Sequence, residues 1–212
     1  MEMENKSEKC DKPRKKSGRP LSFDREAALE RAMLVFWRYG YEAASLSELT
    51  SAMGITPPSL YAAFGDKEQL FLEAVERYST KNCDALQCLF AEAPTARDAI
   101  ERLLQSSAVE NTCPSHPPGC LVVTAATNCS ASAEHVQTAM TERRDNIETM
   151  IKTRIEQGVK EGELPPGTDP GTLASFYATV IQGMSTQARD TGDRDKLLAI
   201  AAAAMRAWPA NK

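Results

Sequence analysis

The sequence predicts an all-α chain of about nine helices. From Asp24 onward, apolar residues recur at three- and four-residue spacing. Polar caps, glycines and prolines punctuate that pattern at helix-length intervals. No stretch alternates apolar and polar residues as a strand would, and no hairpin turn signal occurs.

Residues 1 to about 21 are polar and charged, contain Pro13, Gly18 and Pro20, and read as a disordered arm. The first helix carries Ala28, Leu29, Ala32, Val35 and Phe36 and ends at Gly40. Ser45-Leu46-Ser47-Glu48 is a capping box, in which hydroxyl and carboxylate each take a backbone N–H of the other residue. The short helix it opens stops at Gly54. Thr56 is an N-cap with Pro57 at the first helical position, and Gly65 closes that third helix. Asp66-Lys67-Glu68-Gln69 is a second capping box and opens a helix running towards Leu89. Thr95 caps the next, with Ile100, Leu103 and Leu104 on one face. Asn111 to Gly119 is a break with three prolines. The apolar Cys120–Ala126 segment reads as helix, because its Leu121-Val122-Val123 run has no partner strand. A long helix follows from near Val136 to Gly162, another starts at Asp169-Pro170, and the last runs from about Asp193 to Trp208.

The chain has 212 residues, with 25 Lys and Arg against 29 Asp and Glu, for a net charge of −4. That charge is unevenly spread. Lys12, Arg14, Lys15, Lys16 and Arg19 form a basic cluster without an acid, so an acidic body carries a basic arm. No apolar run reaches the ~18 residues of a membrane helix, and the N-terminus lacks the apolar core of a secretory signal. Six cysteines without an export signal read as reduced thiols. A cytoplasmic protein with no membrane partner is expected.

The segment from Ser45 to Phe64 has the layout of a helix-turn-helix. A short capped helix, the Gly54 turn and a second short helix place Ile55, Leu60 and Phe64 inward. Thr56, Pro57, Pro58, Ser59, Tyr61, Ala62 and Ala63 are the outward set. At the start of that helix, unpaired backbone N–H groups and the helix dipole favour phosphate. The Tyr61 hydroxyl suits a phosphate oxygen, Pro57, Pro58 and Ala62 suit thymine methyl groups, and Lys67 suits the DNA backbone.

Gly54-Ile55-Thr56-Pro57-Pro58-Ser59-Leu60-Tyr61-Ala62-Ala63-Phe64, followed by Lys67 and Leu70, closely resembles the recognition-helix signature of TetR/AcrR-type regulators. Ala28, Leu29, Ala32, Phe36, Gly40 and Tyr41, then Ser45, Leu46 and Leu49, match that family's first two helices. The resemblance implies a homodimeric DNA-binding transcriptional regulator, a repressor, bound to a palindromic double-stranded operator and released by a small-molecule effector. It divides the chain into the arm at 1–21, a helix-turn-helix domain at 22–82, and an effector-binding and dimerisation domain at 83–212. Ser45, Thr56, Pro57, Ser59, Tyr61 and Lys67 carry over as DNA-contacting positions; Pro58 joins them from its outward place, and Arg19 from the arm as a phosphate or minor-groove anchor. Ala62 and Ala63 stand where the family has larger polar side chains, which shifts base readout towards apolar contact and DNA shape.

For the effector, helical spacing suggests a chamber with Cys120, Thr124 and Thr127 on one wall and Met140, Arg143 and Ile147 on the other. The competing reading is a thiol- or metal-responsive regulator using Cys113, Cys120 and Cys129, with His116 close to the first two in sequence. A DNA-binding adaptor without a ligand is a third. The dimer is expected from Phe176, Tyr177, Val180, Ile181 and Met184 on one helix and Leu197, Ala201, Ala204, Met205 and Trp208 on the next, which offer more apolar surface than a monomer needs. No cofactor or resident metal is expected. His116 and His135 sit beside no nucleophile elbow or phosphate loop, so the chain is not read as an enzyme.

Overall fold

The structure, a computed structural model, describes residues 23–210. Among them are nine α-helices, one 3₁₀ turn and no strand. The basic arm and Arg19 lie outside the described residues.

Helix α1 (Arg25–Ala43) starts where the Asp24 carboxylate accepts from the N–H groups of Glu26 and Ala27. The expected stop at Gly40 is a break within the helix. Gly40 has φ +81°, and one more turn follows it. Only glycine suits that position, because a Cβ would lie 3.0 Å from the Ala125 carbonyl oxygen. Helices α2 (Leu46–Met53) and α3 (Pro57–Phe64) turn about Gly54, at φ +69°. Helix α4 (Lys67–Glu92) is one turn longer than the spacing predicted. Of the second capping box only half forms: Asp66 accepts from the Gln69 N–H.

Helix α5 (Ala96–Asn111) is capped by Thr95, which accepts from the Asp98 N–H. The break is followed by short α6 (Leu121–Thr124), as expected of the unpaired apolar run, and by a 3₁₀ turn at Ala131–Ala133. Helices α7 (Glu134–Lys160), α8 (Pro170–Thr191) and α9 (Arg194–Met205) complete the chain. The last helix ends before Trp208, because residues 206–208 form turns back onto Ala203, Ala204 and Met205.

Two hydrophobic cores result. The first joins α1 to α4 through Phe36, Leu49, Met53, Leu60, Leu70 and Phe71, and is closed by Leu121, Val122 and Met140 from the far side of the break. Phe36 and Phe71 meet edge to face at 5.0 Å. Both are fully buried, and truncating either to Ala costs about 3–5 kcal/mol. The second joins α5, α7, α8 and α9 through Ile100, Leu104, Ile151, Ile155, Tyr177 and Leu197. Helix α4 spans both, with Leu70, Phe71, Ala74 and Val75 in the first and Phe90 against the second.

The segment 112–126 is the joint between them. Gly119 donates its N–H to Asn111 at 2.8 Å and accepts from the Trp37 indole at 3.1 Å. His116 stacks on the same indole, with ring centroids 4.3 Å apart. The Cys120 N–H reaches the Ser185 hydroxyl at 2.7 Å, and the Tyr41 N–H reaches Ala125 at 2.7 Å. Arg189 on α8 donates to the Arg38 carbonyl on α1. Together these contacts tie α1 to the joint, and the joint to α5 and α8.

Candidate nucleic-acid interface

The capping box on α2 is complete. The Ser45 hydroxyl accepts from the Glu48 N–H, and the Glu48 carboxylate accepts from the Ser45 N–H at 2.9 Å and from its hydroxyl at 2.7 Å. These bonds hold the Glu48 carboxyl below its ordinary pKa. Ser45 is thereby committed to bracing α2.

Helix α3 is buried on one side by Leu60 and Phe64, with Ile55 packed beside them. Thr56, Pro57, Pro58, Tyr61 and Ala62 are exposed on the other side, with Ser59 and Ala63 half-buried. Tyr61 is 51% exposed, more than any other large apolar or aromatic side chain among the described residues. The outward and inward sets separate as the spacing predicted.

The expectation of free N–H groups at the front of α3 is corrected. Pro57 and Pro58 have none, and the N–H groups of Ser59 and Leu60 both bond the Thr56 carbonyl at 3.0 Å. Thr56 makes no side-chain cap; its hydroxyl pairs with that of Ser59 at 2.9 Å. Hydroxyls therefore replace amides as the polar groups of this surface. Lys67 stands half-buried at the start of α4, donating to the Glu42 carbonyl at 3.2 Å and lying over the Tyr41 ring. Burial pushes its ammonium pKa down, and Glu42 partly offsets that. Arg25 ties the back of α3 to α4, reaching the Ala63 carbonyl and pairing with Glu73.

The six residues expected to wall an effector chamber are not brought together. Cys120 and Met140 belong to the first core, Ile147 packs against the second, and Thr127 is exposed. The Thr124 hydroxyl folds back on the Cys120 carbonyl, and Arg143 pairs with Glu76 of α4 at 2.7 Å. The reason is length. Met140 and Ile147 are seven residues apart on α7, about 10 Å along the axis, which carries the helix from one core to the other.

The close sequence spacing of Cys113, His116 and Cys120 is not a spatial cluster. His116 is stacked on Trp37, Cys120 accepts from the Tyr78 hydroxyl at 3.4 Å, and Cys113 bonds Ser115. Among the described residues no three His, Cys, Asp or Glu side chains are placed to hold a metal ion. Cys129 is half-buried, and burial raises its pKa. His135 is exposed and pairs with Glu68 on α4.

Two clefts do form. One, of about 670 Å³, lies between α1, α2 and the joint, with Arg31, Arg38, Tyr39, Ser47 and His116 in its walls. The other, of about 320 Å³, lies between the distal half of α4 and α7. Of the ten residues expected at the dimer face, Tyr177, Met184, Leu197, Ala201, Ala204 and Met205 are buried in their own chain. Phe176 is 40% exposed, with Val180, Ile181 and Trp208 half-buried.

The chain matches two family models: residues 28–74 that of the bacterial regulatory proteins of the tetR family, and residues 95–205 that of the tetracyclin repressor-like C-terminal domain. The chain belongs to the TetR family. Among curated TetR-family relatives, the HTH-type transcriptional repressor ComR of Escherichia coli K12 is 36% identical over 197 residues, covering 92% of this chain and 94% of ComR. The repressor BdcR of the same organism is 27% identical, covering 88% of this chain and 90% of BdcR. Among solved structures, a cysteine mutant of the TetR family regulator CifR, complexed with 26-bp operator DNA, is 45% identical. It aligns with a TM-score of 0.88 over 91% of this chain and all of that one. This TetR-family chain is accordingly a DNA-binding transcriptional regulator and not an enzyme. No described helix is long and apolar enough to cross a membrane.

Proposed function

We propose that the chain works in the cytoplasm as a homodimeric repressor that holds a palindromic operator through α3 and releases it when a small effector binds the C-terminal helices. The observation that carries this reading is the two-sidedness of α3. Leu60 and Phe64 lock one side into the first core, while Thr56, Pro57, Pro58 and Tyr61 stand free on the other. In this reading Tyr61, Thr56, Ser59 and Lys67 grip phosphates, Pro57 and Pro58 touch base edges, and Ser45 steadies α2. Arg19 and its basic neighbours add phosphate contacts from the arm. The boundary at 82/83 falls inside α4, whose two halves pack in different cores.

Phe176, Val180 and Ile181 on α8, with Trp208, supply the partner-facing patch. Two copies then present two α3 helices to successive major grooves, about 34–36 Å apart or a multiple of that. An effector acts by binding better to a state in which that separation is wrong. The joint at 112–126 is the element through which such a change reaches α1.

The test is duplex selection followed by fluorescence anisotropy. The expected result is enrichment of a palindrome bound by two chains, with affinity falling steeply as salt rises. Failure of any duplex to be enriched would overturn the reading. A thiol-responsive second reading rests on Cys113, an exposed-edge thiol whose pKa the Ser115 hydroxyl and N–H hold below the ordinary value, beside the His116–Trp37 stack. Diamide releasing wild type but not Cys113→Ser from the operator would favour it.

A further inference from the structure

Arg25, Arg77, Arg97 and Arg143 each pair with a glutamate. Arg31 and Arg38 do not. Both are exposed on α1, seven residues and about 10 Å apart along its axis, and both line the 670 Å³ cleft that α1 forms with α2 and the joint. Among the described residues neither has an acid within ion-pair distance. Arg31 gives one Nη1 donor to the Met53 carbonyl at 3.2 Å and keeps the rest of its fork free. Glu48 is the one acid in the walls, and the Ser45 N–H and hydroxyl already bond its carboxylate. Rings stand at the Arg38 end. Tyr39 is 50% exposed there. His116 rests on Trp37, a buried ring that does not line the cleft, so the imidazole lies between the indole and the open space.

We propose that this cleft binds a nucleotide-like phosphate ester, whose phosphates take the guanidinia of Arg31 and Arg38 and whose planar ring lies against Tyr39 and His116. The lining decides the chemistry. Two acid-free guanidinia suit a multiply charged phosphate, whereas a single carboxylate would occupy only one of them. Their separation calls for an extended anion, which inorganic phosphate is not. Tyr39 and His116 offer ring contacts that a bare pyrophosphate cannot use. The volume lies well within the range of small-molecule sites, roughly 300–1,000 Å³. This site is separate from the effector seat among the C-terminal helices. Its regulatory part rests on the operator-binding reading above. Helix α2 contributes Ser47 and Ser51 to the cleft and turns at Gly54 into α3, so a bound polyanion puts negative charge beside the pair of helices that approaches the DNA backbone.

The probe is ADP, with adenosine as the uncharged ring and inorganic pyrophosphate as the ringless anion. Calorimetric titration of the full chain should show ADP bound below about 1 mM, with adenosine and pyrophosphate at least about tenfold weaker. Arg38→Gln should weaken ADP about tenfold without lowering the melting temperature, since no described residue depends on that guanidinium. Tyr39→Ala should weaken ADP and leave pyrophosphate unchanged. Deleting residues 1–19 should leave ADP affinity as it was. ADP affinity unchanged in Arg38→Gln, adenosine or pyrophosphate bound as tightly as ADP, loss of ADP binding with the arm, or no binding at millimolar concentration each overturns the site. Operator anisotropy tests the regulatory part. ADP should lower the operator affinity of wild type severalfold and that of Arg38→Gln much less. Arg38-dependent ADP binding that leaves operator affinity unchanged keeps the site and removes its regulatory role. Operator affinity that falls in Arg38→Gln, with no ADP bound by wild type, assigns the guanidinia to DNA phosphates and overturns the nucleotide.

Discussion

The Trp37 indole donates its N–H to the carbonyl of Gly119, 82 residues away in sequence, at 3.1 Å in a buried position. The same ring stacks on His116 at 4.3 Å and meets Tyr78 nearly at right angles at 4.9 Å. Trp37 therefore ties the DNA-side core to the segment leading into the effector-side bundle. Trp37→Phe leaves the Gly119 oxygen without a donor and should cost about 1–3 kcal/mol in denaturant unfolding. Its larger effect should be a weakened coupling between effector binding and operator release. An unchanged ratio of operator affinities with and without effector would show that the signal does not pass through this bond.

Gly119 has φ +83°, and a Cβ there would lie 2.8 Å from the Ser185 carbonyl oxygen. Gly119→Ala should thus destabilise the chain by at least about 1–2 kcal/mol. Gly192→Ala also meets a positive φ, but nothing lies within 4 Å of its Cβ, so it should cost less. Thermal melts of the two variants compare the contact with the backbone strain. Equal losses would mean that the Ser185 contact contributes nothing.

On α3, Tyr61→Phe should weaken binding about three- to tenfold on every duplex, because only one phosphate hydrogen bond is lost. Pro57→Ala and Ser59→Ala should instead change the order of preference among duplexes. Deleting residues 1–19 should lower the salt slope by up to about four per arm, in proportion to the phosphates that the five basic residues from Lys12 to Arg19 neutralise. Anisotropy over a salt series measures both effects, and a truncated chain with the wild-type slope would show that the arm does not touch DNA.

Acid should loosen the α2 cap. Glu48 titrates below its ordinary value of 4.5 because the Ser45 N–H and hydroxyl bond its carboxylate. Its contribution to stability is present above pH 4.5 and is lost as pH falls through that depressed value, where the unfolded chain already binds the proton. Glu48→Gln should flatten the fall of Tm in that acid range. Ser45→Ala should lower Tm by about 2–4 °C at neutral pH. An acid limb identical to wild type in Glu48→Gln would assign the loss to other carboxylates, such as Glu42 bonded to Ser130.

Phe176 is 40% exposed on α8. Phe176→Glu should leave the fold intact, since Tyr177 and Met184 on the same helix hold the core, and should shift sedimentation from two chains of 23.2 kDa towards one. A variant that stays dimeric would move the interface elsewhere.

The sequence determined the helices and the orientation of α3. Caps, glycines and the three- to four-residue apolar spacing are local signals, so Asp24, Ser45, Thr95 and Asp169 start their helices as read. Leu60 and Phe64 point inward for the same reason. Tertiary structure decided what lies between helices. Cys120 and Met140 share periodicity with Ile147 and Thr124, but α7 is long enough to pass from one core to another, so periodicity could not say which residues share a wall. Six of the apolar residues expected at a partner face are used within the chain. Arg31 and Arg38 carried no signal in the sequence, because a cation every few residues is ordinary on a helix. Only packing shows that these two share one cleft and are unpaired with any described acid, since the other walls of that cleft are brought by the chain from α2 and from the joint at 112–126.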